Sequence, residues 1–281
     1  MIEERFDRNE CLFGKDGQAR LRRARVAVMG CGGLGSIVAA EIGLLGVGAV
    51  DIVDCEELSR SNRNRYLGAW ENDPIPGSPK VALAKRHIHL IDTEIEVMAR
   101  HEDILSLAGL DAIKQADYVM GCVDKDGVRF FLNEACLAYG MTLVDLASDV
   151  PEPGEFGGRV AIVGENRGCL HCLDLLDPQE VRRFLSSGEM RENEEAAYGI
   201  QTALLDEAGP SVVSVNGVVA SLGVTALMAL VTGMDMPYTV QTYYGHRGTV
   251  TREMPSPPDN CYYCKNIQGL GCKANLDRYF A

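Results

Sequence analysis

Gly30-Cys31-Gly32-Gly33-Leu34-Gly35 follows one short apolar run, Arg25 to Met29, and opens an apolar stretch of helical length. Glycines at this spacing allow a tight turn and let phosphate oxygens approach the amides of a helix N-terminus. Asp54 stands about 20 residues on, at the end of a second apolar run, where a carboxylate can hold a ribose hydroxyl. Loop and acid are shared by nicotinamide, flavin and some ATP sites, so alone they leave the choice open. The residues that follow narrow it. Ser61-Asn62-Arg63-Asn64-Arg65 begins seven residues after Asp54, and Gly77-Ser78-Pro79-Lys80 comes next. Asp124 follows a later apolar run, with Arg129 and Asn133 on the segment behind it. A redox site has no need of two arginines and a lysine converging on its nucleotide. Attack at the α-phosphorus of ATP does, because charge must be stabilised on the phosphoryl oxygens and on departing pyrophosphate. A nicotinamide oxidoreductase on the same loop would bind NAD(H) tightly and be indifferent to Lys80→Ala.

In order and spacing these residues resemble the ThiF/MoeB/HesA family, relatives of the ubiquitin-activating enzymes. The family pattern runs Arg-Gln near the N-terminus, GQ, GxGGLGS, Asp, SNLNRQ, a lysine after Gly-x-Pro, and CxDN followed by Arg. Here it reads Arg8-Asn9, Gly17-Gln18, Gly30 to Ser36, Asp54, Ser61 to Arg65, Lys80 and Cys122-Val123-Asp124. The resemblance implies that Gly30, Gly32, Gly33 and Gly35 cradle ATP and that Asp54 binds its ribose. It implies that Asn62, Arg65 and Lys80 hold the phosphates, with Arg65 and Lys80 stabilising the transition state, and that Asp124 positions Mg2+. Arg8 would be an arginine finger from a second subunit, making the active unit a homodimer. The implied reaction is adenylation of the C-terminal glycine of a ubiquitin-like sulfur carrier ending in Gly-Gly. A ribosomal precursor peptide as substrate, and a catalytically idle dimeric binding module, are the other readings. A lone Arg or Asp at any of these positions would be an ordinary solvated charge; the ordered set carries the reading. Arg129 and Asn133 sit between the two readings, since a helix-borne Arg often just pairs with a neighbouring acid.

Cys169-Leu170-His171-Cys172 and Cys261-Tyr262-Tyr263-Cys264 are CxxC pairs separated by nearly 90 residues. One pair alone could be a redox dithiol. Two pairs can close a tetrahedral four-cysteine site for Zn2+, with no open position for chemistry, as in the zinc-bearing members of the family. Such a site would tie the C-terminal tail to the core; zinc-finger peptides gain roughly 10–16 kcal/mol this way. Cys272 is spare. For Cys11, Cys31, Cys55, Cys122 and Cys136 the expectation is burial in the core. Many relatives carry a nucleophilic cysteine after the first CxxC, but Leu173 to Asn260 contains none. Where their Ser-Cys-Ala-Glu-Ala-Gly would align, this chain reads Leu204-Leu205-Asp206-Glu207-Ala208-Gly209. The chemistry is therefore expected to stop at the adenylate. Arg65-Tyr66 and Asp124-Lys125 also depart from the pattern, and Lys125 adds a phosphate contact or marks a different substrate. The five histidines show no ligand spacing.

The elements that must position these groups alternate. Strands are expected at Arg25 to Met29, Ala49 to Val53, Glu94 to Met98, Asp117 to Gly121 and Thr142 to Val144. Helices are expected at Leu34 to Leu45, Val81 to Ile91 and Gly127 to Ala138. This is an α/β pattern: a Rossmann-like, mostly parallel sheet with both faces covered. Pro151 to Gly158 ends the parallel unit, and strands at Tyr238 to Tyr244 and Gly248 to Arg252 form a C-terminal antiparallel extension. Residues 1–24 read as an N-terminal helical arm, 25–150 as the nucleotide-binding part and 151–281 as a zinc-stapled carrier-binding part of one domain. Asp177 to Asp206 is acidic, with a brief helical pattern at Gln179 to Leu185, and reads as a crossing loop under which a substrate tail would run. A net charge of −13 disfavours nucleic acid and anionic lipid as partners. The apolar Ser211 to Val231 carries Ser214, Asn216 and Thr225, which suits a buried core helix rather than a membrane span. The charged start MIEERFDRNE lacks a signal-peptide core, which points to the cytoplasm and reduced thiols. If Arg8 is a finger, Arg8→Ala should fold and dimerise yet adenylate poorly; near-normal rates would remove Arg8 from the site.

Overall fold

The computed structural model describes residues 4–150, 152–164, 166–186, 211–236 and 238–280. One sheet of eight strands runs through them in the order β3-β2-β1-β4-β5-β6-β7-β8. Strands β1 (Arg25–Met29), β2 (Ala49–Val53), β3 (Glu96–Arg100), β4 (Tyr118–Gly121) and β5 (Thr142–Asp149) pair in parallel. Strands β6 (Gly157–Val163), β7 (Val240–Tyr244) and β8 (Thr249–Glu253) add antiparallel, after the Pro/Gly-rich segment where the parallel unit ends. The mostly parallel sheet and its antiparallel extension are as expected. The strand expected at Glu94 to Met98 lies two residues further on, and β5 continues to Asp149. Strand β6 is hidden in the sequence behind the Pro/Gly signal that precedes it.

Each central strand is buried on both sides, so its apolar residues divide between two cores by alternation. Val26 and Val28 of β1 enter one core, with α1 (Asp7–Arg23), α2 (Gly33–Leu45), α3 (Lys80–Ile91) and α7 (Val213–Thr232). Ala27 and Met29 enter the other, with α4 (Leu107–Gln115), α5 (Asp126–Tyr139) and the C-terminal tail. Helix α6 (Pro178–Leu185) packs on α5. Helix α4 escapes a reading of the sequence because Gly109 sits in its first turn. That glycine is needed there: a Cβ would lie 2.2 Å from the Ile104 carbonyl oxygen, and its amide is capped by Ser106 Oγ.

Helix α7 is long and apolar enough to cross a bilayer by composition, yet it packs on α1, α2, β5 and β6. Its Thr225 and Thr232 hydroxyls turn back onto carbonyls one turn earlier, at 2.7 Å each. The arm α1 is fastened at several points. Gln18 is buried, donates to the Leu45 carbonyl at 2.9 Å and accepts from Asn9. Arg20 caps the C-terminus of α7 through the Thr232 carbonyl.

Strand β2 carries one charge into this apolar sheet. Asp51 is fully buried and pairs with Arg25 of β1 at 2.9 Å and Arg100 of β3 at 3.0 Å, joining three strands. The two guanidiniums retain some access to water, so removing the acid should cost less than stranding a fully buried charge. Asp51→Ala is expected to lower stability by about 2 kcal/mol, read as a lower urea midpoint at unchanged slope. An unchanged midpoint would mean that the pair contributes nothing.

Candidate active site

The strand order reverses between β1 and β4, and the crevice at the carboxyl ends of these strands is where α/β sheets bind ligands. The loop after β1 meets the loop after β4 there. Gly30 has φ +91°, and a Cβ on it would lie 2.8 Å from the Cys122 carbonyl oxygen. A Cβ on Gly35 would lie 2.0 Å from the Gly30 carbonyl oxygen, so helix and strand close up only without one. Helix α2 starts at Gly33 behind Gly32, which offers no side-chain cap. A Cβ on Gly32 would meet nothing within 4 Å, so there is free room beside the residue that precedes α2.

Asp54 lies beside this turn, mostly buried, its Oδ2 accepting the Cys31 amide at 2.6 Å and its Oδ1 the Glu56 amide at 2.7 Å. Burial pushes its carboxyl above the usual range, while the two amides and the charge of Lys80 pull it back in part. Lys80 opens α3, is 4% exposed and is ion-paired with Glu56, itself largely exposed. Arg65 lays its stem over the start of α2, with Cγ and Cδ 3.0 and 3.1 Å from where a Gly33 Cβ would be. Its guanidinium rests on the Ser61 carbonyl at 2.6 Å and on Asn64 Oδ1 at 3.1 Å. Asn62 spends its side-chain oxygen on the Ser59 amide at 3.0 Å, closing the short turn that delivers Arg65. Asp124 and Lys125 are exposed on the β4–α5 loop, Lys125 at the N-cap of α5. Arg8 is exposed on the first turn of α1.

Two residues that stand beside this set in sequence have other work. Arg129 is 5% exposed and turns under the β4–α5 loop, bonding the Val123 carbonyl at 2.6 Å and pairing with buried Asp145 at 3.3 Å. It positions the loop bearing Asp124 rather than facing the crevice. Asn133, fully buried, accepts the Leu170 amide at 2.8 Å and so belongs to the first CxxC turn.

Sequence reasoning misses three contributors. Tyr66, where the family has Gln, is buried, contacts Cys31 Sγ at 3.3 Å and donates to the Lys80 carbonyl at 2.5 Å. It ties the glycine loop to the start of α3. Glu56, two residues past Asp54, holds Lys80. Asn216 of α7 reaches Gly33 from the far end of the chain. Cys31, Cys122 and Cys136 are buried as expected, and burial pushes the Cys31 thiol up to about 12. Cys11 and Cys55 are exposed, which corrects the expectation for both: one lies on the outer face of α1, the other past the end of β2. Residues 187–206 of the acidic crossing segment, and 204–209 where relatives carry their cysteine, lie outside the described residues.

Cys169, Cys172, Cys261 and Cys264 place their four sulfurs within 4.8 Å of one another. Cys169 and Cys261 sulfurs are 3.7 Å apart, and Cys172 and Cys264 3.9 Å. A tetrahedron of Zn–S bonds about 2.3 Å long has edges of about 3.8 Å, so the donor set fits zinc in size and in chemistry. The Cys169 amide donates to Cys172 Sγ at 3.2 Å, and His171 stacks edge-on with Tyr263 outside the cluster. Cys272 is exposed and apart from it.

The ThiF family model matches residues 6–265. The vegetative protein HesA of Trichormus variabilis is 29% identical over 266 residues, 93% of this chain and 89% of that protein. The sulfur carrier protein ThiS adenylyltransferase of Bacillus subtilis is 29% identical over 171 residues, 60% of this chain and 50% of that one. The matched stretch thus spans half the length of that adenylyltransferase. Among solved structures, E. coli MccB with MccA-N7isoASN superimposes with a TM-score of 0.75 at 17% identity, covering 93% of this chain and 75% of that one. At that identity the likeness is one of fold.

The sulfur cluster generates a direct test. If the four sulfurs hold zinc, elemental analysis of the purified protein should find one Zn2+ in wild type and none in Cys261→Ser. The C-terminal tail of that variant should become exposed to limited proteolysis. One retained zinc with an unchanged digestion pattern would rule the four sulfurs out as the metal site.

Proposed function

The chain belongs to the ThiF family, and on that premise we propose that it adenylates the C-terminal carboxylate of a small protein partner. The observation that carries this is Arg65 laid over the uncapped first turn of α2, with buried Lys80 close enough to Asp54 to act on its charge. ATP phosphates would bind the α2 amides, with the ribose hydroxyls on Asp54, whose oxygens have lone pairs beyond those used by Cys31 and Glu56. Lys80 would leave Glu56, and Arg65 its resting carbonyl, to meet charge growing on the phosphoryl oxygens and pyrophosphate. Asp124 would hold Mg2+, which neutralises part of that charge. The substrate carboxylate oxygen attacks the α-phosphorus in line, the bond to the bridging oxygen of pyrophosphate breaks, and an acyl-adenylate forms. Alignment of the two reactants supplies much of the rate.

The partner class we favour is a ubiquitin-like sulfur carrier ending in Gly-Gly, because the ThiS adenylyltransferase is among the relatives. Residues 1–281 then act as one domain, 25–150 holding ATP and 151–281 the carrier, in a homodimer whose second Arg8 enters the site. With no cysteine from Leu173 to Asn260, the activated carboxyl passes to another protein rather than to a thioester on this chain.

The test is ATP–pyrophosphate exchange with a genomically neighbouring small protein ending in Gly-Gly, and with its tail-truncated form. Exchange is expected with the intact tail alone, and Lys80→Ala should slow it on the order of 10²–10³-fold. Exchange only with a short precursor peptide would move the substrate to that class; MccB, which shares this fold, is a microcin C7 biosynthetic enzyme. ATP binding without exchange for any partner would favour an idle binding module.

A further inference from the structure

The loop between β4 and α5 is fastened by a helix distant in sequence. Lys125, the N-cap of α5, gives that helix no side-chain cap. The amide of Asp126, the first residue of α5, donates instead to Glu180 Oε1 of α6 at 2.7 Å. Asp126 returns the bond: its Oδ2 accepts the amide of Asp177, the N-cap of α6, also at 2.7 Å. The two helix N-termini thus lie side by side, each supplied with an acid by the other, which offsets their like dipoles. Phe184 of α6 closes the contact on Gly127, where a Cβ would lie 2.4 Å from the ring.

Asp126 has a second tie. Its Oδ1 lies 3.6 Å from Nε of Arg129, whose guanidinium holds the Val123 carbonyl at 2.6 Å. The loop is therefore pinned from beneath by Arg129 and from the side by α6, with Asp126 common to both. Asp124 sits between these points, exposed, its carboxylate engaged by none of the described residues. A Mg2+ shared with nucleotide phosphates keeps several waters and takes only one or two protein carboxylates, so a free acid on a fixed loop suits it. We propose that Glu180 is a positioning residue for the cation site at Asp124. It acts through the first amide of α5, two residues beyond that acid, without touching metal or nucleotide. This rests on the adenylation reading above and adds to it a residue of the C-terminal part. Removing the Glu180 carboxylate leaves the N-terminus of α5 with no acceptor for that amide, and Asp124 then holds Mg2+ less well.

The full-length protein is titrated with ATP in Mg2+ and, separately, in EDTA, with melting temperature as the control for folding. The variants are Glu180→Ala, Glu180→Gln, Asp124→Ala and the double alanine. Wild type is expected to bind ATP more tightly in Mg2+. Glu180→Ala should weaken ATP about 10-fold in Mg2+ and stay within about two-fold of wild type in EDTA. Glu180→Gln keeps an oxygen for the Asp126 amide and should stay within about three-fold in both. Asp124→Ala should lose the gain from Mg2+, and adding Glu180→Ala to it should cost nothing more, since both act on one ion. Equal losses in Mg2+ and EDTA, additive losses in the double variant, or no loss in Glu180→Ala would overturn the assignment while leaving the ATP site in place. If Glu180→Ala does not fold, Glu180→Asp, whose shorter carboxylate falls short of the amide, takes its place. ATP affinity in wild type that ignores both Mg2+ and Asp124→Ala overturns the cation site at Asp124, and this assignment with it. A wild type that binds no ATP overturns this assignment and the adenylation reading together.

Discussion

Everything at the crevice follows from how closely α2 can approach the end of β1. Gly35 packs onto the Gly30 carbonyl, and Gly30 turns with positive φ against the Cys122 carbonyl. Any side chain at either position would push the helix away. Because it sits close, the turn before it meets both Asp54 and the end of β4. Asp54 in turn bonds the Cys31 amide, so the acid that would hold a ribose also locks the loop that would hold phosphates. One turn thus sets the distance between two binding elements, and Tyr66 fixes the third by joining Cys31 to the first residue of α3.

The parts of this arrangement legible in the sequence are those encoded locally. Glycine spacing, an acid at a strand end and short apolar runs bounded by turns each carry their meaning within a few residues. The two CxxC pairs are legible for a different reason: two such pairs together supply the four thiolates of a tetrahedral zinc site. What stays hidden depends on direction and distance. Arg129 follows Asp124 on a helix, and nothing in a one-dimensional pattern tells an arginine facing the crevice from one tucked beneath it against Asp145. Asn133 lies one turn further along α5 and looks like a companion of Arg129, but its partner is a backbone amide 37 residues later. Asn216 is not legible at all, since only the packing of α7 on α2 brings it to the loop.

Helix α5 links the crevice to the sulfur cluster. Its first turn holds the Asp124 loop through Arg129, and Asn133 holds the first CxxC turn, both on the face that enters the protein. Arg278 and Tyr279 of the tail reach back to buried Glu134 beside it. Phe131 of α5 meets the Tyr279 ring edge-on, and Phe184 of α6 stacks on it. A metal holding Cys261 and Cys264 to Cys169 and Cys172 would therefore press the tail onto the same helix that carries the Asp124 loop. Its structural role and the geometry of the crevice are connected through one rigid rod, although its four sulfurs leave no position for chemistry.

Three charges at the crevice are held by partners. Lys80 is paired with Glu56, Arg65 rests on the Ser61 carbonyl, and Asp54 accepts two amides. A buried ammonium without a counter-charge is expensive, and Lys80 is 4% exposed. Glu56 supplies the counter-charge from a position with wide access to water, where a carboxylate is readily resolvated when released. Under the proposed reading, exchange of Glu56 for a phosphate would swap one anion for another around Lys80 and leave no buried charge stranded. Arg65 would have to lift from the Ser61 carbonyl and Asn64 Oδ1, both neutral partners. The crevice thus keeps its cations in place within an acidic protein of net charge −13, on partners that a phosphate could replace at small cost.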